Sequence, residues 1–287
     1  MCRCILRSAV LFLPFLAGCF GQIEPNQQES VLVQPIDPAV PGAVQGRVTW
    51  EGEVPVATET LVRALAFNPA LHKNPARFST PHVPKVHGQN RGVESAVVYL
   101  RGIDPLRSRE WDHAKVRVEF HNRRLTVYQG AKAGGIGFVQ RDSAIEIVNR
   151  DGEYHNLHGR GAAFFAQPLV QRDVVHTRKL PESGVVDLTC GAGYYWLHAY
   201  LFVADHPYFT QTDADGRFTL EHVPAGTYEL VSWLPNWHVQ RKQYDPETAI
   251  IARLTWAPPV EQVRAVVVRA GATSDVSIAW KRSAFAN

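Results

Sequence analysis

The sequence predicts an all-β protein made of β-sandwiches, and three observations predict it. Runs rich in Val, Tyr, Phe, Thr and Trp recur along the chain and are broken at short intervals by Gly, Pro, Asp and Asn, the spacing of strands and turns. Within such runs apolar and polar residues alternate: Val116, Val118 and Phe120 are interleaved with Arg117 and Glu119, the mark of a strand with one wet face. Helical periodicity is weak, and Glu59 to Phe67 is the best candidate for a single short helix.

The first residues read as a targeting signal rather than as part of the fold. Arg3 and Arg7 precede the apolar run Ser8 to Phe15, well short of the ~20 residues a spanning helix needs. Leu16-Ala17-Gly18-Cys19 then resembles the bacterial lipobox. That resemblance implies that residues 1–18 are removed and that Cys19 is acylated as the first mature residue, anchoring an extracytoplasmic lipoprotein to a membrane. Phe20 in the following place implies the outer membrane where one exists. The alternative is an ordinary signal peptide cleaved nearby, and Cys2 and Cys4 leave with the leader in either case. Residues 19–43, rich in Gln, Pro, Glu and Asn, cannot bury enough apolar surface to fold and read as a tether.

The mature chain is long enough for one large all-β unit or two ordinary domains. The formal charge of +3 is small, and Lys and Arg are scattered, which argues against a nucleic-acid partner. No His-Glu-x-x-His, Walker loop or dinucleotide fingerprint occurs. Asp205-His206 invites a catalytic reading, yet no serine or cysteine sits in a nucleophile-elbow context, and an enzyme is the least supported class.

Gly46 to Trp50, Ser95 to Leu100, Lys115 to Phe120 and Arg217 to Leu220 read as strands. Asp215-Gly216 supplies the positive-φ residues of a tight hairpin, and Pro224-Ala225-Gly226 makes a second turn. A calcium loop is discounted here, because Arg217 falls on an oxygen position and no glutamate closes the loop. The stretch Thr212 to Leu230 resembles the carboxypeptidase regulatory-like (Cna-B or transthyretin-like) domains of bacterial surfaces. Gly46-Arg47-Val48, Gly52-Glu53-Val54-Pro55 and Ala96 to Leu100 fit the opening of such a domain, far upstream of its end. The resemblance therefore implies a split sandwich, 44–103 and 208–287, with 104–207 inserted. Two consecutive domains are the alternative. The last strands, Gln262 to Arg269 and Ser274 to Lys281, are expected to complete the second layer.

Cys190 is the one thiol of the predicted folded part. In an oxidising compartment an unpaired thiol is either a small buried hydrophobe or a ligand. Phe138 to Phe209 resembles a cupredoxin, the blue-copper fold: Asp142 to Asn149 looks like the strand before the first ligand, Tyr154-His155-Asn156 like its setting, and Val185 to Cys190 like the strand that delivers the cysteine. The resemblance implies His155 and Cys190 as copper ligands. A blue-copper plane needs a thiolate and two imidazoles, with a weak axial thioether. Gly191, Ala192, Gly193 and Tyr194 stand where the second histidine belongs, Leu197 stands where the thioether is expected, and Met1 is the only methionine. A rearranged site would use His155, His158, Cys190 and His198. The expectation is a degenerate site without cofactor, with His155 and His158 hydrogen-bonded at a loop and Tyr194, Tyr195 and Trp196 filling the vacated space; copper is the alternative.

His82 and His87 lie in a Pro-rich loop and read as surface histidines, with metal scavenging as the alternative. Trp233 and Trp237 flank a Pro-Asn turn, either as a stacking platform for a sugar ring or as caps on an interface between domains. The sequence thus points to a lipid-anchored binding or structural module of the cell envelope, partnered by an envelope protein or a carbohydrate. The rivals are a copper-handling or electron-transfer protein and a carbohydrate-binding module.

Overall fold

A computed structural model of the protein describes residues 40–62 and 76–285. The predicted leader, Cys19 and most of the tether lie outside the described residues. No α-helix occurs among them, and no helix is long and apolar enough to cross a membrane.

The strands run in order β1 Gly42–Glu51, β2 Glu59–Val62, β3 Ala76–Ser79, β4 Lys85–Val86, β5 Val93–Glu94, β6 Val97–Arg101, β7 Val116–His121 and β8 Arg124–Gln129. They continue as β9 Lys132–Gly134, β10 Ile136–Gln140, β11 Ala144–Asn149, β12 His155–Gly161, β13 Phe165–Leu169, β14 Val175–Lys179, β15 Gly184–Cys190 and β16 His198–Ala204. The last are β17 Phe209–Gln211, β18 Arg217–Val223, β19 Gly226–Leu234, β20 Val239–Tyr244, β21 Ile251–Trp256, β22 Val260–Val268 and β23 Thr273–Lys281.

Four sheets carry the architecture. In the order of their hydrogen-bonded neighbours they are β18-β1-β23 (sheet I), β17-β6-β19-β22 (sheet II), β10-β16-β15-β12-β13 (sheet III) and β14-β11-β7-β8-β9 (sheet IV). Period-2 alternation distributes the side chains between layers. Val44, Val48, Phe218, Ile278 and Trp280 of sheet I meet Val98, Leu100, Leu230 and Val266 of sheet II in one core. Val186, Leu188, Ala199 and Leu201 of sheet III meet Val118, Phe120, Ile145 and Ile147 of sheet IV in another. Between them, Val97, Tyr99, Val231 and Trp233 on the other face of sheet II pack on Phe138, Tyr200, Phe202 and Ala204 of sheet III. The four sheets therefore stack as I, II, III, IV. This explains why β6 and β16 read as continuous apolar runs: each is buried on both faces.

Sheet I joins distant parts of the chain. β1 pairs antiparallel with β18 and parallel with β23, which sets Trp50 beside Trp280. The β17–β18 turn forms but not as the expected tight hairpin, because it carries the chain from sheet II to sheet I and only Gly216 takes positive φ, 77°; the Asp213 carboxylate accepts the backbone N–H of Asp215 at 2.9 Å and of Arg217 at 2.8 Å.

Two local expectations are corrected. Glu59–Val62, half of the candidate helix, is strand β2 paired with β3, and the rest of that candidate lies outside the described residues. The β-branched pair Thr60 and Val62 and a ready antiparallel partner outweigh a weak helical period. The last two strands do not complete one layer: β22 joins sheet II beside β19, whereas β23 joins sheet I beside β1.

Candidate functional site

His155 opens β12 and Cys190 closes β15, neighbouring strands of sheet III in which Leu157 faces Cys190. Both side chains point toward sheet IV, in step with Leu157 on β12 and with Val186 and Leu188 on β15. Cys190 Sγ lies 3.7 Å from His155 Nδ1, and His155 Nε2 lies 2.9 Å from Asp151 Oδ2. Asp151 also accepts the backbone N–H groups of Asn122 at 2.6 Å and Arg123 at 3.1 Å. A carboxylate so engaged accepts, so His155 donates from Nε2 and offers the Nδ1 lone pair to the thiol. The imidazole stacks on Phe120 with centroids 4.4 Å apart.

The electrostatics keep this pair neutral. Burial pushes the His155 imidazole below its ordinary range despite Asp151, and burial pushes the Cys190 thiol up against the backbone N–H groups around it. Burial also works to raise Asp151, but the bonds from His155, Arg123 and Asn122 together hold it low.

Tyr194 stands beside the pair, fully buried, with its ring centroid 4.9 Å from that of His155. Its hydroxyl donates to the Glu153 carboxylate, which Arg123 holds at 2.6 Å. Trp196 stacks on Phe78 at 4.9 Å, and Tyr195 meets Phe78 edge-on at 5.8 Å. The aromatic trio therefore packs around this end of the sandwich with a β3 residue that carried no local signal of contact.

His158 and His198 are not part of this cluster. Alternation along β12 turns His158 to the face opposite His155, where its ring lies over Gly191; a Cβ there would stand 2.3 Å from His158 Cε1. His198 pairs with Thr189 in the register of β15 and β16, one residue from Cys190, and so faces away from it. Instead His198 Nε2 lies 2.5 Å from Asp187 and Nδ1 lies 2.6 Å from His82 Nε2. The rearranged four-ligand set is thereby corrected, since strand alternation divides its members between two faces. His82, read as a surface histidine, is drawn into this contact across 116 residues of sequence, a closure no local pattern announces. His87 caps a turn, its Nδ1 accepting from the N–H of Asn90 at 3.3 Å.

The donor set does not fit a blue-copper centre. Two donors stand in place, and the third neighbour is a tyrosine whose hydroxyl is bound by Glu153. Among the described residues no group of three or more His, Cys, Asp or Glu side chains could hold a metal ion.

The tryptophan platform is also corrected. Trp233 is 2% exposed, wedged between Tyr200 and Phe202, and Trp237 is 9% exposed against Trp50 and Phe285. Neither ring presents a face to a sugar, because sheet III covers the first and the core of sheets I and II takes the second. Asp205 is bound by Arg141 at 2.5 Å and accepts from the Ser183 hydroxyl at 3.1 Å, and His206 stacks on Phe209.

Comparison with known proteins gives partial likenesses. A family model described as polysaccharide lyase family 4, domain II matches residues 182–248, from β15 through β20. Cupredoxins are among the similar solved structures. Oxidised amicyanin carrying a proline-to-glycine substitution is 16% identical, covers 31% of this chain and 82% of its own, and gives a TM-score of 0.26. A purple cupredoxin from Nitrosopumilus maritimus is 19% identical, covers 32% of this chain and 99% of its own, with a TM-score of 0.25. Reduced amicyanin with a tryptophan-to-tyrosine substitution is 12% identical, covers 37% and 98%, and gives 0.26. No curated protein matches the chain.

Proposed function

We propose that this protein is a lipid-anchored binding or structural module of the cell envelope, in which a cupredoxin-like sandwich retains the remnant of a metal site. The observation that carries the reading is the His155–Cys190 pair, which meets at 3.7 Å with Tyr194 bound to Glu153 alongside. Such a pair packs and orders two sheets but lacks the donors for electron-transfer copper. The anchor rests on Leu16 to Cys19 alone, and mass spectrometry of the native amino terminus tests it: an unmodified terminus elsewhere removes the anchor. We also propose the division 44–103 with 208–287 around an inserted 104–207, supported by the core shared between Val44, Val98, Phe218 and Ile278.

A copper-handling role has the Cys190–His155 contact in its favour and the turning of His158 and His198 to the opposite face against it. A carbohydrate partner draws support from the printed name of the matched family model, but the burial of Trp233 and Trp237 denies it those two rings. The deciding experiment is optical. Purified protein with one equivalent of Cu(II) is expected to show no intense visible band, since His158 and His198, the candidate second imidazoles, face away from Cys190 and leave the trigonal plane incomplete. An intense band that disappears in both His155→Ala and Cys190→Ser would replace this reading with the copper one.

A further inference from the structure

On the face of sheet III turned away from Cys190, Asp187, His198 and His82 form a chain. Asp187 Oδ1 lies 2.5 Å from His198 Nε2, and His198 Nδ1 lies 2.6 Å from His82 Nε2. With Asp187 accepting the Nε2 proton, His198 Nδ1 carries a lone pair, and only one proton fits between it and His82. His82 and His198 both line a cleft of about 340 Å³ that Glu94, Tyr200 and Gln211 also line.

We propose that His82 and His198 are the two protein ligands of a divalent transition-metal site of the Cu(II) and Zn(II) class, with Asp187 orienting His198 from behind. Three observations support it. Two imidazole nitrogens converge, the donor type these cations prefer. The carboxylate on the far nitrogen of His198 is the outer partner that metal-bound histidines commonly have, fixing tautomer and ring plane. Metal–nitrogen bonds of about 2.0–2.1 Å set two adjacent ligand nitrogens about 2.9–3.3 Å apart, so the present spacing has to open by only a few tenths of an ångström. The cleft supplies the route for the ion and the space for waters to fill the remaining positions.

This site is independent of the thiol, and the test exploits that. The full mature chain in its Cys190→Ser form is titrated with Cu(II) alone and followed by calorimetry and electron paramagnetic resonance. One equivalent is expected, with couplings from two nitrogens and faint colour. Asp187→Asn is expected to weaken binding 10–100-fold. His82→Ala and His198→Ala are expected to abolish the two-nitrogen signal; should His198→Ala fail to fold, His82→Ala, a loop substitution, decides. Absence of the two-nitrogen signal in Cys190→Ser, or its survival in His82→Ala, overturns the proposal. Because Cys190→Ser leaves the histidine pair intact, an intense thiolate band in the parent chain would refute the function proposed above without touching this one.

Discussion

Truncating Trp233 to alanine tests the stacking of the four sheets most directly. The indole lies between sheets II and III, 2% exposed, with ring centroids 5.0 Å from both Tyr200 and Phe202 in edge-on geometry. Trp-to-Ala changes in cores cost about 3–5 kcal/mol, the lost transfer energy plus an unfilled cavity. Two aromatic pairs at about 0.5–1.5 kcal/mol each place this site in the upper part of that range. In a chain of this size each kcal/mol moves Tm by about 2–4 °C, so a cost of about 4–5 kcal/mol corresponds to a fall of about 8–20 °C. Differential scanning calorimetry with Tyr244→Ala as control reads it, because Tyr244 is 54% exposed on the β20–β21 ribbon. The transition should also broaden or split, since the cluster of Val97, Tyr99, Phe138 and Trp233 joins one sandwich to the other. A Tm within 2 °C of the parent would refute the layered packing and return Trp233 to the surface.

Three other outcomes follow from the same packing. Cys190, 8% exposed and with its thiol raised by burial, should resist iodoacetamide at pH 7.5 in the native protein and alkylate once the protein is unfolded; rapid native alkylation would mean an accessible thiolate. Burial is the leading cause that holds His82, His113, His155, His158 and His206 below 6.5, His206 at about 4, so between those values the unfolded chain binds more protons; Tm should fall as pH drops from 6.5 toward 4, and a Tm maximum at pH 5 would contradict this. In Gly46→Ala the new Cβ would stand 1.9 Å from the backbone oxygen of Val276, so a loss of about 3 kcal/mol or failure to fold is expected by urea unfolding, whereas Gly134→Ala, with nothing within 4 Å, should be neutral.

The strands were legible because their information is local. Val116, Val118 and Phe120 alternate with charged residues whatever lies across from them, and Asp215-Gly216 turns the chain by its own backbone preferences. The His155 and Cys190 contact was legible through a resemblance that pairs two distant strand ends. By itself, then, the sequence determined an all-β chain, its turn at Asp215-Gly216, and two members of the candidate site. Tertiary structure alone decided which face each remaining side chain occupies. Whether His198 joins Cys190 depends on the β15–β16 register, where a shift of one residue exchanges the faces, and that register is chosen by long-range burial. Trp233 is hidden only because a second sheet lies on the outer face of the first. The meeting of His82 with His198 is a loop closure over 116 residues, an event whose energy lies in the packing of Tyr200 and Trp256 around the rings and not in any pattern near residue 82.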